Sequence, residues 1–352
     1  MAESPLVRSC ILTISSTDLV KYDRSDLELQ HVAVEYYGQA VSGLREAIQE
    51  ESNSTIVFNM PLSDYNPLAV LLLCLHETQN FTASERILPH LNAAICLLQN
   101  RLYCQGLNST LRGFLFELFC YFFALATYSL GSRLALYQAC RIFNSPSITQ
   151  YLQNGHVMGT SQHLFLTIFR ISILVEDMTL GSEDVAAKAR SELMALEEQL
   201  DATLTQSYHI NEDMDIGCLN DAVTSEMYRL ACLIYLKKVL CPPTPDEDPT
   251  IQSLVNAFVY QLGHLPSGSP SDTILSWPLV VTGLCATMST HQRIIIAKLN
   301  QIFEVWQSDI FSRGAEFLRE KWQRDRDARA IISSESHQAS GMIWTQLPVI
   351  LA

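Results

Sequence analysis

Ala189, Leu193, Leu196, Leu200 and Leu204 recur at intervals of four, three, four and four residues, a spacing that lines up along one side of an α-helix. Tyr37, Ala40, Val41, Leu44 and Ile48 form a second such stripe, and Ile295, Leu299, Ile302, Trp306 and Ile310 a third. Alternating strand patterns are scarce, and Ser54–Met60 (STIVFNM) is the one short β-like run. A chain patterned this way buries its apolar side chains by packing helix on helix, so the sequence predicts an all-α fold. Boundary residues mark out twelve candidate helices, at roughly 4–21, 26–50, 66–78, 84–103, 109–131, 133–143, 159–177, 182–206, 217–241, 250–263, 272–287 and 290–328. Ser182, with Glu183 and Asp184 behind it, opens one of them; Ser289 with Gln292 reads as a capping box opening another. The punctuation at Asn144–Pro146, Cys241–Pro249 and Leu265–Asp272 is loop-sized. The expectation is therefore a single helical domain over 1–352, of about ten to twelve packed antiparallel helices with no solenoid period.

Of the 352 residues, 48% are apolar and 17% charged, which excludes a disordered chain and a small disulfide scaffold. The net charge of −14 argues against direct phosphate binding, which runs on clustered Lys and Arg. Thirteen acids between Val175 and Glu226 face only Lys188 and Arg190. They form either a recognition surface for a basic partner or the solvated side of a helix and its following loop. The six bases from Arg313 to Arg329 are interleaved with Glu316, Glu320, Asp325 and Asp327, which reads as a solvated helix face rather than a nucleic-acid stripe.

Ten cysteines are scattered without a C-x2-C pair, so they read as reduced, buried small hydrophobes rather than a zinc ribbon or a redox motif. The start MAESPLVRSCILT lacks a signal-peptide pattern, and the sequons at Asn53, Asn80 and Asn108 carry no expected role. Gly113–Ser132 is nearly long enough to span a membrane, but it carries Glu117 and lacks basic flanks; a buried central helix and no membrane partner are expected.

No catalytic signature emerges. His76-Glu77 starts an H-E pair, yet Asn80 stands where the second zinc histidine belongs. Gly159–His163 lacks the second glycine and preceding strand of a nucleophile elbow. The D-D-x-x-D cluster of helical terpene cyclases is absent; Tyr228 stands where a second motif starting at Asn220-Asp221 needs a carboxylate, and Asp246-Glu247-Asp248 is hemmed in by prolines. No metal, cofactor or catalytic residue is expected. Were the bundle to enclose a cavity, Glu77, His90, Glu117 and His163 would be its candidate polar lining, with a structural role the competing reading for each.

The residues do resemble one family. Ser4-Pro5-Leu6 leading into LVRSCILTIS, then Tyr36-Tyr37-x-x-Ala40-Val41-x-x-Leu44, are similar to the first two helices of the regulatory region of fungal-specific, zinc-cluster transcription factors. VLLLCLHETQNF and ILPHLNAAICLLQ, with Glu77, His90-Leu91 and Ala93-Ala94, resemble its paired helices; FLFELFCYFFALATYSLG and MGTSQHLFLTIFRISILVEDM follow in order. Trp277-Pro278-Leu279 with Gly283, Ala286 and Arg293 resembles its Trp-Pro segment and downstream arginine. Ala93 departs from the usual glycine. The resemblance begins at residue 4, so the six-cysteine zinc cluster is expected to be absent, and with it sequence-specific DNA binding.

The resemblance implies a transcription regulator in the nucleus, with the cytoplasm as the alternative location, and the regulation of a fungal biosynthetic gene cluster as its setting. It would act through helical partner proteins, a zinc-cluster factor of the same family among them. The alternative is a small-molecule-binding protein or repurposed enzyme whose helical core takes a small apolar effector. A third reading is a gene product whose upstream exon encodes the zinc cluster.

Overall fold

The computed structural model of the chain describes residues 4–54, 63–79, 86–102, 109–130, 136–145, 155, 157–203 and 216–332. Among the described residues every regular element is helical, and the fold is all-α as the periodicity predicts. Residues 55–60 of the β-like run lie outside the described residues. The chain divides into two compact units, one of Met1–Phe123 and Ser132–Val157, the other of Ala124–Gly131 and Met158–Leu351.

The first unit contains α1 (Pro5–Tyr22), α2 (Leu27–Ser54), α3 (Tyr65–Gln79), α4 (Ile87–Leu102), the start of α5 (Ser109–Leu130) and α6 (Leu136–Phe143). Ser4 caps α1 by accepting from the Val7 amide at 3.4 Å, with Pro5 in the first turn where no amide partner is needed. Asp26 caps α2 through the Leu29 amide at 2.9 Å. The face that α1 buries is Val7, Cys10, Thr13 and Ser16. Its hydroxyls donate to carbonyls one turn back, Thr13 to Ser9 at 2.8 Å and Ser16 to Leu12 at 2.6 Å, so small polar groups are buried without leaving donors unpaired. Phe119 and Phe123 of α5 pack against Phe143 of α6, with ring centroids 5.7 and 5.8 Å apart. Thr110–Tyr128 is long and apolar enough to cross a membrane, yet 72% of that stretch is buried against protein.

Where α2, α4 and α5 end or begin, the Arg101 guanidinium is fully buried and forms a fork with Glu51, both nitrogens at 3.0 Å. Asp64 lies 3.4 Å from the same side chain and 3.7 Å from Arg112, and Arg101 also donates to the Leu97 and Ser63 carbonyls. Two cations and two carboxylates thus share one buried site, the arrangement that makes buried charge tolerable.

The second unit holds the last turns of α5 and α7 (Gln162–Leu180), α8 (Glu183–Ala202), α9 (Ile216–Leu240), α10 (Pro249–Leu262), α11 (Ser276–Leu284), α12 (Ser289–Trp306) and α13 (Asp309–Ile332). Trp277 on α11 is fully buried among Tyr128 of α5 and Tyr228 and Tyr235 of α9. Tyr228 stacks on the indole at 6.0 Å and 9°, while the other two tyrosines meet it edge-on. Gly283 lets α11 and α13 approach closely, since a Cβ there would meet the Leu318 side chain at 2.5 Å; the Trp322 indole donates to the Gly283 carbonyl at 3.0 Å.

Each of the twelve predicted segments contains a helix, but the last is two. Gln307 takes the left-handed conformation, φ +50°, and its amide closes on the Phe303 carbonyl at 2.8 Å, ending α12 at Trp306. The stripe through Ile295, Leu299 and Ile302 is buried, whereas Trp306 at the helix end is 43% exposed and Ile310 belongs to α13. The predicted capping box is also corrected: Ser289 already lies in the helix, Met288 is the cap residue, and the Gln292 amide instead donates to the Ala286 carbonyl at 2.8 Å. Ser182 does occupy the cap of α8, though without a side-chain hydrogen bond.

Trp277 and Trp306 provide a test within one unit. Trp277→Ala is expected to lower unfolding free energy by about 3–5 kcal/mol, and Trp306→Ala by less than about 1 kcal/mol. Chemical denaturation of the two variants checks this; comparable losses would contradict the packing described.

Candidate functional site

The predicted polar residues fall in three places. Glu77 and His90 meet in the first unit. The buried Glu77 carboxylate on α3 accepts from the Tyr37 hydroxyl of α2 at 2.8 Å and lies 3.8 Å from His76 and 3.9 Å from His90 of α4. The Tyr37 ring stacks on His76 at 5.1 Å, and His76 Nε2 sits 3.2 Å from the Thr17 hydroxyl of α1. Because that hydroxyl donates to the Thr13 carbonyl, it is left to accept from the imidazole. Burial works to raise the Glu77 carboxyl, but hydrogen bonds from His76 and Tyr37 and the two imidazoles outweigh it and hold the group below its ordinary value. Burial pushes His90 down against the pull of Glu77, and pushes the Tyr37 phenol up to about 12 with help from the same carboxylate. The Glu77 carboxylate joins α2, α3 and α4, and its neighbour His76 ties in α1.

Glu117 does not join it. Buried on α5, it accepts from the Val157 amide at 2.7 Å and holds the chain that leads out of the first unit.

His163 lies in the second unit, on a half-open depression of about 320 Å³ lined by Thr160, Leu164, Leu200, Ala222, Glu226 and Arg229 among others. Its Nδ1 donates to the Thr160 carbonyl at 3.2 Å, leaving Nε2 of the neutral ring as an acceptor. The surrounding protein desolvates the ring and holds its basicity below the ordinary value, against the opposing effect of that carbonyl. Glu226 and Arg229, both buried, form a fork at 2.7 Å for each bond, and Arg229 also donates to the Leu200 carbonyl at 2.9 Å.

The acidic stretch is partly consumed inside the fold. Glu192 pairs with Arg170 at 3.1 Å, Glu197 with Lys237 at 2.5 Å, and Glu226 with Arg229; Glu183, Asp184, Glu198 and Asp201 remain exposed on α8. Residues 212, 213 and 215 lie outside the described residues. The triplet Asp246-Glu247-Asp248 scatters its oxygens. Asp246 bonds Lys238 at 2.5 Å and Lys321 at 3.2 Å, Glu247 bonds Arg329, and Asp248 caps α10 through the Thr250 amide at 2.8 Å. Lys321 is thus buried, which corrects the reading of Arg313–Arg329 as wholly solvated. No group of three or more His, Cys, Asp or Glu residues among the described residues is placed to hold a metal ion.

Trp277, Pro278 and Gly283 are core residues, whereas Arg293 is exposed on α12. The sequence assigns Thr17 and Arg229 no site role and places Tyr37 only in an apolar stripe and Lys321 only in a mixed-charge helix face; their partners stand at distances no helical period reveals. The i, i+3 spacing of Glu226 and Arg229 was the one local signal.

Compared with known proteins, residues 1–341 match a family model described as "Fungal specific transcription factor domain". No curated protein and no solved structure matches the chain.

The cluster at Glu77 sets a pH signature. His90 is depressed when folded, so stability falls as pH drops below the ordinary histidine value of 6.5; Glu77 is depressed too, so its share is present above 4.5 and lost as pH falls through its folded value. Glu77→Gln removes the anion that lifts His90. Melting temperatures of this variant are expected to fall more steeply than wild type between those two values and less steeply below 4.5. Superimposable pH profiles would refute the cluster's role.

Proposed function

The chain belongs to the fungal-specific transcription factor domain family and is a transcription regulator, and we propose that it acts through contacts with helical partner proteins, leaving DNA recognition to them. The observation that carries this reading is the family match running across both units, which supports treating them as one regulatory region. The charge balance supports it as well, because a surface with net −14 repels phosphate. The partner would be a zinc-cluster factor of the same family, met in the nucleus, with a biosynthetic gene cluster as its target. The exposed acids of α8 supply one complementary surface.

The full chain tethered to a heterologous DNA-binding module is expected to change output from a matching reporter, and the purified chain alone to show no sequence-specific DNA retardation. A specific shift by the chain alone, or an unresponsive reporter, would count against the proposal.

The cavity at His163 favours a second reading, a small effector that adjusts this regulation. Its volume sits near the lower end of ligand sites. The mixed lining suits a compound with polar groups for His163, Thr160 and Ser225 better than a purely apolar one. Thermal-shift screening tests it: a true effector at a hundred times its dissociation constant adds about 2.7 kcal/mol, and that gain should vanish in Ala222→Trp, which fills the site.

A further inference from the structure

Ala222, Ser225, Glu226 and Arg229 recur along α9 at the i, i+3, i+4, i+7 spacing that lines one side of a helix, and all four line the depression beside His163. Its depth is graded. Glu226 and Arg229, 8% and 5% exposed, form the floor, and the buried Leu164 and Leu200 form apolar walls. Thr160, just before α7, and His163 in its first turn are exposed at the rim.

The floor carries two charges that cancel. Arg229 gives two of its five N–H bonds to the Glu226 carboxylate and one to the Leu200 carbonyl, so two N–H bonds remain for another acceptor. A second carboxylate would be buried beside Glu226 with no cation left to balance it. An ammonium would meet an Arg229 that has already neutralised Glu226. Either leaves an uncompensated charge, which burial penalises heavily. The helix ends offset one another too, since α7 begins at this depression and α8 finishes there. A carbonyl oxygen, by contrast, can accept the remaining N–H bonds and adds no charge. At the rim the need is the reverse: His163 Nδ1 donates to the Thr160 carbonyl, so Nε2 calls for a donor.

We propose that this depression binds an uncharged carbonyl compound (a ketone, lactone or amide) that bears a hydroxyl at its far end. The carbonyl oxygen accepts from Arg229 at the floor, the aliphatic body packs between Leu164 and Leu200, and the hydroxyl donates to His163 Nε2. This assignment rests on the effector reading above and adds the charge of the ligand and the direction in which it lies.

Four ring compounds of similar size serve as probes. One is cyclohexanone with a hydroxyl across the ring from its carbonyl, and the second is plain cyclohexanone. The other two are the hydroxylated ring with a carboxylate or an ammonium group replacing the carbonyl. Titrations of the full chain followed by ligand NMR rank their affinities, and loss of binding in Ala222→Trp, which fills the site, identifies binding there. The hydroxyketone should bind about threefold tighter than cyclohexanone, and at least about tenfold tighter than either charged ring. His163→Ala changes an exposed residue, and melting curves will verify its fold; it should lower the hydroxyketone to the level of cyclohexanone and leave cyclohexanone unchanged. Glu226→Gln keeps an acceptor for Arg229 but removes the balancing anion, so the carboxylate should gain about tenfold while cyclohexanone does not. If that buried change prevents folding, the probe ranking and His163→Ala decide the matter. Binding at the site led by a charged ring, or a hydroxyketone indifferent to His163→Ala, would overturn this assignment and leave the effector reading standing. If no probe binds in a way that Ala222→Trp abolishes, both are overturned together.

Discussion

Among the described residues much of the buried charge is held in pairs, and several of these pairs join one helix to another element. Arg101 with Glu51 and Asp64, Arg229 with Glu226, Lys298 with Asp272, and Lys238 and Lys321 with Asp246 all sit in surroundings too dry for a lone ion. Breaking such a pair by removing one member typically costs about 3–5 kcal/mol, because the survivor stays buried without compensation. Arg229 also donates to the Leu200 carbonyl in the last turn of α8, and the exposed Arg190 does the same for Leu240 at the end of α9. Apolar packing supplies the drive to collapse; the ion pairs decide which helix ends meet.

That division of labour bears on function. Many charged groups inside both units are committed to one another, whereas Thr224, Ser276, Trp277 and Thr282 bury side-chain polar atoms with no hydrogen-bond partner among the described residues; the phenols and thiols are pushed by burial toward their neutral forms. At the surface lie the acids of α8 and the depression beside His163.

The candidate site was only partly legible in the sequence. The His76-Glu77 pair drew notice as a broken zinc motif, but its role is to gather Tyr37, Thr17 and His90 from three other helices. Glu117 looked like an intruder in an apolar helix and proves to hold the Val157 amide, forty residues away. The acid-rich stretch exaggerated the exposed charge, because local composition carries no sign of Arg170, Lys237 or Arg229 closing on it. Hydrophobic period reports which side of a helix is buried, not what polar groups from elsewhere arrive there.

Period, caps and breakers were enough to determine the helical class, the extents of nearly all segments and the residues that turn inward, because these depend on interactions within a few residues. Tertiary structure decided the rest. The left-handed Gln307 splits what reads as one long helix, α5 contributes to two compact units, and Asp246 meets Lys321 across seventy-five residues of chain. Each of these outcomes rests on contacts between side chains distant in sequence, whose free energy no local pattern encodes.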